Sequence, residues 1–396
     1  MLNPRSTAAT ALLAALVAFG PLATDMYLPS LPTLMRVFDT TQQHVQLTLS
    51  LYLLGFAIGQ LAYGPLSDRF GRRPMLMIGL ALFIVASVAI TSVDSIEAMI
   101  VWRVLQALGG CAGPVLGRAI VRDVFGPDSA ARVLSYISAA MALAPAVAPM
   151  IGGLLDARLG WTSVFFALAV YGAIVLAMFA TQLPETAPRE IPTPFRLSTL
   201  TRNFGVLMKN SRWRYCTLAC SSVYAGTFAF LSGSSFVIID HYGFSSEQYG
   251  YVFGVIVTGY IISTLIGGKI SARHTVDTLI GMGSVLAAIS ACAMLLLTLS
   301  SYDSVLIVTL PTFFYAMSMG WVMPQSMAGA LAPFPQMAGT ASSLLGTVQM
   351  LLAAAMGAIV GVLSDGTPLA MTACMAIAGV ATLISYLGLR NHPESH

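Results

Sequence analysis

Asp25, Arg103 and Gln106 are the residues whose types and settings could do chemistry, because each lies inside a long apolar run. A charged side chain at the centre of a membrane helix costs about 2.5–3.5 kcal/mol on insertion scales, so it needs a compensating role. A carboxyl balanced between burial and a nearby cation can exchange a proton near neutral pH. Arg103 lies about eight residues, roughly 12 Å, from the outer end of its predicted helix, and Asp25 lies at a comparable depth. Asp25 and Arg103 could therefore pair directly or through a water. Protonation of Asp25 would release Arg103 and so act as a switch, and Gln106, one helical turn after Arg103, could join this network.

Each of these residues also has a purely structural interpretation. Asp25 could be a solvated residue or cap at the outer boundary of its helix, where prolines follow. Arg103 could satisfy backbone carbonyls of neighbouring helices. Gly20 and Pro21, one turn before Asp25, predict a kink that exposes backbone carbonyls to a cavity.

The elements that position these residues are predicted to be membrane helices. Only 9% of the 396 residues are charged, 57% are hydrophobic, and the mean hydropathy is +0.81. A water-soluble fold of this length needs far more charge on its surface. Since a spanning helix takes about 20 apolar residues, we predict an all-α membrane protein with no large soluble domain. Its twelve spans are placed near 8–31, 44–64, 74–93, 96–118, 132–155, 162–182, 214–239, 247–268, 278–299, 304–329, 339–363 and 368–389.

The basic residues predict the orientation. With the N-terminus inside, sixteen of the nineteen Lys and Arg fall in cytoplasmic segments, and only Arg36 and Arg158 fall outside. This bias predicts a multi-pass protein of the bacterial inner membrane. An even number of helices then leaves both termini in the cytoplasm.

A proline-rich and basic segment divides the chain into two halves. We predict a six-helix bundle over 1–183, a cytoplasmic linker over 184–213 and a second bundle over 214–396. Sliding the second half by 204 positions gives a weak repeat that aligns Gly55, Gly64, Ser67 and Arg69 with Gly259, Gly268, Ser271 and Arg273. Parallel repeats of this kind are typical of transporters, whose substrate site lies between the halves near the midplane.

The eleven residues from Gly64 to Pro74, G-P-L-S-D-R-F-G-R-R-P, are a charged segment between two apolar runs. We predict a tight cytoplasmic hairpin there. Anchoring by the positive-inside rule is the plainer interpretation of its arginines.

Twelve spans, two halves and this hairpin together resemble the major facilitator superfamily over the whole chain. Arg103–Gly109 on the fourth span and Ala148–Gly153 on the fifth resemble motifs of its drug:proton antiporter branch with twelve helices. The fifth-span glycine positions hold other small residues here, Ser135, Ala144 and Ala148. Thr24–Pro29 and Met337–Ser343 resemble the bicyclomycin/chloramphenicol resistance (Bcr/CflA) subfamily.

This resemblance implies export of small drugs, of the chloramphenicol, bicyclomycin or sulfonamide type, driven by proton entry. It implies a cytoplasmic gate in which Arg72 or Arg69 pairs with Asp123, and Asp68 lies near the start of the eleventh helix around Gly339 and Thr340. The implied gate residues are Gly64, Asp68, Arg69, Gly71, Arg72, Arg73 and Asp123. The implied antiporter motif, Pro149, Gly152 and Gly153, allows close helix packing.

Drug-binding candidates are apolar and aromatic residues of the helices, because such side chains adapt to varied ligands. Each could instead face lipid or a neighbouring helix. They are Tyr27, Leu53, Phe56, Phe228, Phe230 and Tyr260.

No enzymatic motif competes with this interpretation, since G-x-S-x-G, H-E-x-x-H and G-x-x-x-x-G-K-[ST] do not occur. We expect a transporter without cofactor or metal, with the proton as coupling ion. The expected partners are small drugs and the bilayer, without nucleic acid, and the expected state is a monomer. A proton-coupled metabolite symporter on the same fold and a non-transporting membrane sensor or scaffold are the alternatives.

Overall fold

The computed structural model describes residues 7–182, 184–186, 204–271, 273–300, 303–334 and 337–391. Within these ranges, the side chains of 7, 8, 122, 126–132, 134–143, 146, 269 and 338 lie outside the description. The described ranges contain helices and turns and no β-strand. The helices are α1 Thr7–Val17, α2 Phe19–Asp25, α3 Leu31–Val37, α4 Gln42–Phe70, α5 Arg72–Ile90, α6 Ile96–Gly110, α7 Ala112–Leu159, α8 Thr162–Gln182, α9 Ser211–Ser235, α10 Ser246–Ile270, α11 Val276–Thr298, α12 Leu306–Leu331, α13 Ala338–Leu363 and α14 Leu369–Asn391.

Ten helices in the described part of the chain are long and apolar enough to cross a membrane. The count rises to eleven if the bent pair Ala9–Val17 and Phe19–Val37 is one span. The predicted fifth span, 132–155, lies in α7, where many side chains fall outside the description. The all-α membrane architecture is therefore confirmed, while the number twelve stays a prediction.

The first span is broken next to Pro21, as predicted. The two parts of the bent pair meet at 41° beside Ala18. Pro21 has no N–H to donate to the Val17 carbonyl, so the regular helix cannot continue through this turn. A second break follows α2, because the chain passes through a 3₁₀ turn at Leu28–Ser30 before α3 begins. Asp25 is consequently the last residue of a short helical segment between two breaks.

The charged hairpin is much shorter than predicted. Helix α4 continues to Phe70 and α5 begins at Arg72, so Gly71 is the only residue between them. Gly71 has φ +96°, a conformation that ends α4 at little cost only because glycine has no Cβ. Pro74 lies in the first turn of α5, where its missing N–H removes no helical hydrogen bond. A tight turn is present as predicted, but the predicted span limits at 64 and 74 were wrong, because most of the residues between them continue one helix or start the next.

Helix α7 also replaces a predicted loop. We expected a connection between the spans 96–118 and 132–155, whereas the backbone is helical from Ala112 to Leu159 without interruption. Its 48 residues correspond to about 72 Å of helix, which exceeds the thickness of one bilayer. The single helix therefore includes the end of the fourth predicted span and the whole of the fifth.

The chain divides into two compact units. The first comprises Met1–Phe195 with Ser246–Gly250, and the second comprises Arg196–Ser245 with Tyr251–His396. Residues 187–203 of the predicted linker 184–213 lie outside the described ranges.

In the first unit, α5 packs on α6 and α8, α4 packs on α6, and α1 and α2 pack on α7. An aromatic cluster holds the broken first span against this bundle. The Phe19 ring lies 4.9 Å from that of Phe83 and 5.0 Å from that of Tyr171. The Tyr171 hydroxyl donates to the Ala15 carbonyl at 2.6 Å.

In the second unit, α9 packs against α12, α13 and α14, while α11 packs on α12 and α14. The Tyr315 hydroxyl on α12 donates to the Val223 carbonyl of α9 at 3.1 Å. Arg212 at the start of α9 pairs with Asp277 of α11 at 2.7 Å. Helix α9 is thus the central helix of this unit.

The turn between α13 and α14 is held by a carboxylate. Asp365 accepts hydrogen bonds from the backbone N–H of Thr367 at 2.9 Å and from its hydroxyl at 2.6 Å. These bonds stabilise the ionised form, so they lower the pKa of Asp365.

Candidate functional site

Arg103 is the centre of the candidate site. Its side chain on α6 is fully buried. Its Nη1 atom donates to the Ala23 carbonyl at 3.1 Å and to Gln106 Oε1 at 2.5 Å. Its Nε and Nη2 atoms have no hydrogen-bond partner among the described residues. A buried donor without a partner is costly, so two donors of this guanidinium are available to an acceptor.

A short relay of hydrogen bonds fixes Gln106. The Gln106 Nε2 atom donates to Ser87 Oγ at 2.8 Å, and the Ser87 hydroxyl donates to the Phe83 carbonyl at 2.7 Å. Both polar side chains are fully buried. The amide orientation of Gln106 is therefore set by α5, and its oxygen points to Arg103.

Aromatic rings surround the guanidinium. Arg103 Cζ lies 4.2 Å from the ring centroids of both Tyr27 and Tyr52, and 5.8 Å from that of Phe165. Sequence reasoning proposed Tyr27 as a drug contact and missed Tyr52. The available signal was spacing: Tyr52 lies four residues before Phe56, so both share a face of α4.

Asp25 is buried close to Arg103 but is not paired with it. Its residue exposure is 4%, and among the described side chains no cation forms an ion pair with it. The Thr24 hydroxyl lies 2.8 Å from Asp25 Oδ1 and 3.1 Å from the carbonyl oxygens of Gly20 and Pro21. That hydroxyl can donate to a carbonyl of α2 while it accepts from a protonated Asp25. Burying an unpaired charge is expensive, so this setting suits a neutral carboxyl.

The predicted direct pair between Asp25 and Arg103 is therefore not formed in this conformation. Arg103 instead binds the carbonyl of Ala23, two residues before Asp25. This contact matches the structural interpretation of Arg103, namely that it satisfies a backbone carbonyl. It also keeps the unpaired donors beside the segment that carries the carboxyl.

The predicted cytoplasmic gate is centred on Arg72. Arg72 Nε pairs with Asp123 Oδ2 at 3.1 Å, and Arg72 Nη1 lies 2.5 Å from both Asp68 Oδ1 and Ser67 Oγ. Arg72 and Asp123 are nearly buried, with side-chain exposures of 6% and 10%. Of the two predicted partners of Asp123, Arg72 makes the pair, while Arg69 lies over the Phe70 ring at 5.3 Å.

Glu185, which sequence reasoning missed, completes this cluster. Its carboxylate accepts from the backbone N–H groups of Arg72 at 2.9 Å and Arg73 at 3.1 Å. These are the first two amides of α5, where a negative charge is favoured. The Arg73 side chain donates to the Ala180 carbonyl at 2.6 Å. The start of α5 is thereby joined to the end of α8.

Two glycines of the predicted gate behave differently. A Cβ at Gly71 would lie 2.6 Å from Glu185 Oε2, so this position requires glycine for space as well as for its backbone angle. A Cβ at Gly64 would meet no atom within 4 Å. Packing in the described part of the chain therefore does not require glycine at position 64.

The predicted antiporter motif packs against the segment that follows Asp25. Pro149, Gly152 and Gly153 are buried in α7. A Cβ added at Gly152 would overlap the carbonyl oxygen of Met26, and one added at Gly153 would overlap that of Ser246. The close packing predicted for this motif is thus a contact between Gly152 and Met26, the residue next to Asp25.

Asp156, one turn after Gly153, is another residue that sequence reasoning missed. Ser30 donates to its Oδ1 at 2.9 Å and Ser246 to its Oδ2 at 2.7 Å. Ser246 belongs to the first unit. One carboxylate therefore joins three segments of that unit.

The predicted drug contacts are divided between the units. In the first, Tyr27, Leu53 and Phe56 are buried, Tyr27 faces Arg103, and the Phe56 ring stacks on Tyr52 with centroids 6.2 Å apart. In the second, Phe228 contacts Tyr224 at 4.9 Å and Phe230 contacts Phe253 at 6.0 Å between ring centroids. Tyr260 on α10 is half-buried. Drug binding by these six residues stays a prediction.

A family model described as Major Facilitator Superfamily matches residues 13–358. The chain belongs to the major facilitator superfamily. It is 31% identical to a bicyclomycin resistance protein homolog of Haemophilus influenzae, over 92% of each chain. It is 30% identical to a chloramphenicol resistance protein of Pseudomonas aeruginosa, over 86% of this chain and 80% of the relative.

A solved D-xylose-proton symporter has the same fold, with a TM-score of 0.76 at 16% identity over 96% of this chain and 97% of the other. These findings confirm the major facilitator fold and the resemblance to the Bcr/CflA subfamily. The protein is a multi-pass membrane transporter of the bacterial inner membrane, and members of this superfamily are not enzymes.

Proposed function

We propose that this transporter is a proton-driven antiporter that exports small drugs by alternating access. The observation that carries the proposal is Asp25, a buried carboxyl with no cation partner, beside Arg103, a buried cation with two unpaired donors. An ionisable pair inside a membrane protein is a functional site by default because its burial is costly. The resistance proteins among the relatives support small antibiotics as the substrate class.

The pair has two arrangements that differ by one proton. With Asp25 protonated, Arg103 binds Ala23 and Gln106 as observed. With Asp25 ionised, the carboxylate would attract the free Nε and Nη2 donors of Arg103. This exchange of partners changes how α2 contacts α6, and α2 lies between two breaks that allow it to move.

Drug and proton would then compete through this equilibrium. Proton entry favours the neutral arrangement, and drug binding favours the ionised one, so each ligand releases the other. The membrane potential supplies about 2.3 kcal/mol per charge per 100 mV, and the pH gradient adds to it.

Proton release from purified protein in detergent tests this proposal. We expect chloramphenicol to release protons from the wild type and not from Asp25→Asn. Asp94→Asn, which removes an exposed carboxylate between α5 and α6, is the matched control and should behave as the wild type. Equal release from the wild type and Asp25→Asn would move the coupling site elsewhere. Absence of release, with drug binding shown separately, would overturn antiport.

Everted membrane vesicles separate the alternatives. Respiration acidifies their interior, so an antiporter accumulates drug inside as protons leave. A proton symporter would not accumulate its substrate in that direction. A sensor or scaffold would accumulate none and would tolerate Asp25→Asn without loss of activity.

A further inference from the structure

Tyr52 is a buried residue for which the proposed function gives no role. It is fully buried on α4, and its ring faces the Arg103 guanidinium at 4.2 Å. Tyr27 makes the same contact at the same distance from a different segment. In this conformation the guanidinium contacts two ring faces at 4.2 Å, a more distant third ring of Phe165 at 5.8 Å, one carbonyl and one amide oxygen, and no carboxylate of the described residues.

Two ring faces can replace a carboxylate as the partner of a buried cation. The face of an aromatic ring is electron-rich, and its attraction for a cation is largest where water is excluded. This attraction is present only while the guanidinium stays between the rings of Tyr27 and Tyr52 without a carboxylate partner. It therefore stabilises the arrangement in which Asp25 holds its proton.

We propose that Tyr27 and Tyr52 form an aromatic clamp, which holds Arg103 while Asp25 is protonated and so sets the pH at which drug displaces that proton. The clamp rests on the proposed proton antiport and adds Tyr52 to its machinery as a positioning residue. Tyr27, predicted only as a drug contact, acquires a second role.

Asp25 is the one carboxylic acid among the described groups that face Tyr52. The titratable and charged groups around its ring are Arg103, Cys111, Tyr27 and Asp25. The polar groups that reach Arg103 from α5 and α6, Ser87 and Gln106, carry no charge. A shift in proton release on changing Tyr52 therefore reports the balance between Asp25 and Arg103.

The ring of Tyr52, and not its hydroxyl, makes the clamp. The hydroxyl is buried and has no hydrogen-bond partner among the described residues. Tyr52→Phe keeps the ring and removes only this unpaired group, whereas Tyr52→Leu removes the ring. The two variants therefore separate clamping from every role of the hydroxyl.

The experiment measures chloramphenicol-induced proton release against pH for the wild type, Tyr52→Phe and Tyr52→Leu. Losing one ring destabilises the arrangement with free Arg103, so Asp25 loses its proton more readily. The midpoint of release should fall by about one pH unit in Tyr52→Leu, the size of one desolvated cation–π contact. Tyr52→Phe should keep the wild-type midpoint within a few tenths of a unit.

Drug affinity is measured on the same samples and shows that each variant is folded. A weaker affinity in Tyr52→Leu with an unchanged midpoint would overturn the clamp and make Tyr52 a drug contact. If Tyr52→Leu does not fold, the same comparison is made with Tyr27→Phe and Tyr27→Leu. An unchanged midpoint of proton release in Tyr27→Leu would also overturn the clamp. The wild type distinguishes failure of the clamp from failure of the proposed antiport. If the protein is not an antiporter, the wild type releases no protons at any pH.

Discussion

The buried charges of the first unit are handled in two contrasting ways. Arg72 is neutralised by acids, since Asp68 and Asp123 both reach its guanidinium. Arg103 is equally buried but is surrounded by neutral acceptors and rings. An ion pair that is already complete resists change, whereas a cation with unpaired donors can respond to a new negative charge. This contrast supports the proposed switching role of Arg103, while Arg72 holds a complete ion-pair cluster.

Gly152 controls the position of the segment that carries Asp25. We expect Gly152→Ala to push Met26 away, because its Cβ would overlap the Met26 carbonyl oxygen. Overpacking of this kind costs about 1–3 kcal/mol, and drug-induced proton release should fall to about a tenth of the wild-type value or less, since small misplacements cost large factors in rate. The melting temperature and the proton release are measured together.

Gly268→Ala is the control for this prediction. Gly268 also lies in a helix, but a Cβ there would meet no atom within 4 Å. It should keep wild-type proton release. Normal release from Gly152→Ala would show that Met26 can move without disturbing Asp25.

At the scale of elements, the start of α5 depends on an acid from a distant part of the chain. Glu185 lies 113 positions after Arg72 and accepts from its backbone N–H. Because Gly71 alone separates α4 from α5, fixing these amides also fixes the direction in which α5 leaves the turn. The start of α5 is therefore tied both to Glu185 and to the end of α8.

Replacing Glu185 should loosen this turn. Glu185→Gln removes the charge at the helix start, and a cap of this type contributes about 1 kcal/mol. We expect a melting temperature lower by about 2–4 °C and faster hydrogen exchange at the amides of Arg72 and Arg73. Glu97→Gln, at an exposed first-turn acid of α6, is the control. Unchanged exchange at both amides would contradict the capping role.

At the scale of the whole molecule, the distribution of basic residues makes a prediction about topology. Fluorescent protein fused after His396 should fluoresce, because we predict that this terminus is cytoplasmic. Alkaline phosphatase inserted at Gly366, in the exposed turn between α13 and α14, should be active because that turn is predicted to lie outside. Phosphatase that is active when fused after His396 would contradict the predicted cytoplasmic C-terminus.

Local features of this molecule were predictable from the sequence, and distant contacts were not. Pro21 predicts the kink in the first span because a missing N–H acts within one turn. The Arg72–Asp123 pair was one of two options implied by a known motif. Nothing local indicates that Tyr52 would meet Arg103, or that Glu185 would return to Arg72. Helix limits near Gly71 were misjudged because charged residues continue a helix readily when its end lies in water.

Among the described residues, the absence of a second buried acid beside Arg103 has a thermodynamic consequence. Asp25 is the only acid among the buried residues of the described chain, so the proposed cycle exchanges one proton for one drug molecule. A neutral drug could then be concentrated at most about 50-fold for each 100 mV of membrane potential, with about a further tenfold for each unit of pH difference. A drug with one positive charge would gain nothing from the potential, because the exchange would move no net charge. At equal pH on the two sides, such cations could not be expelled against a concentration difference.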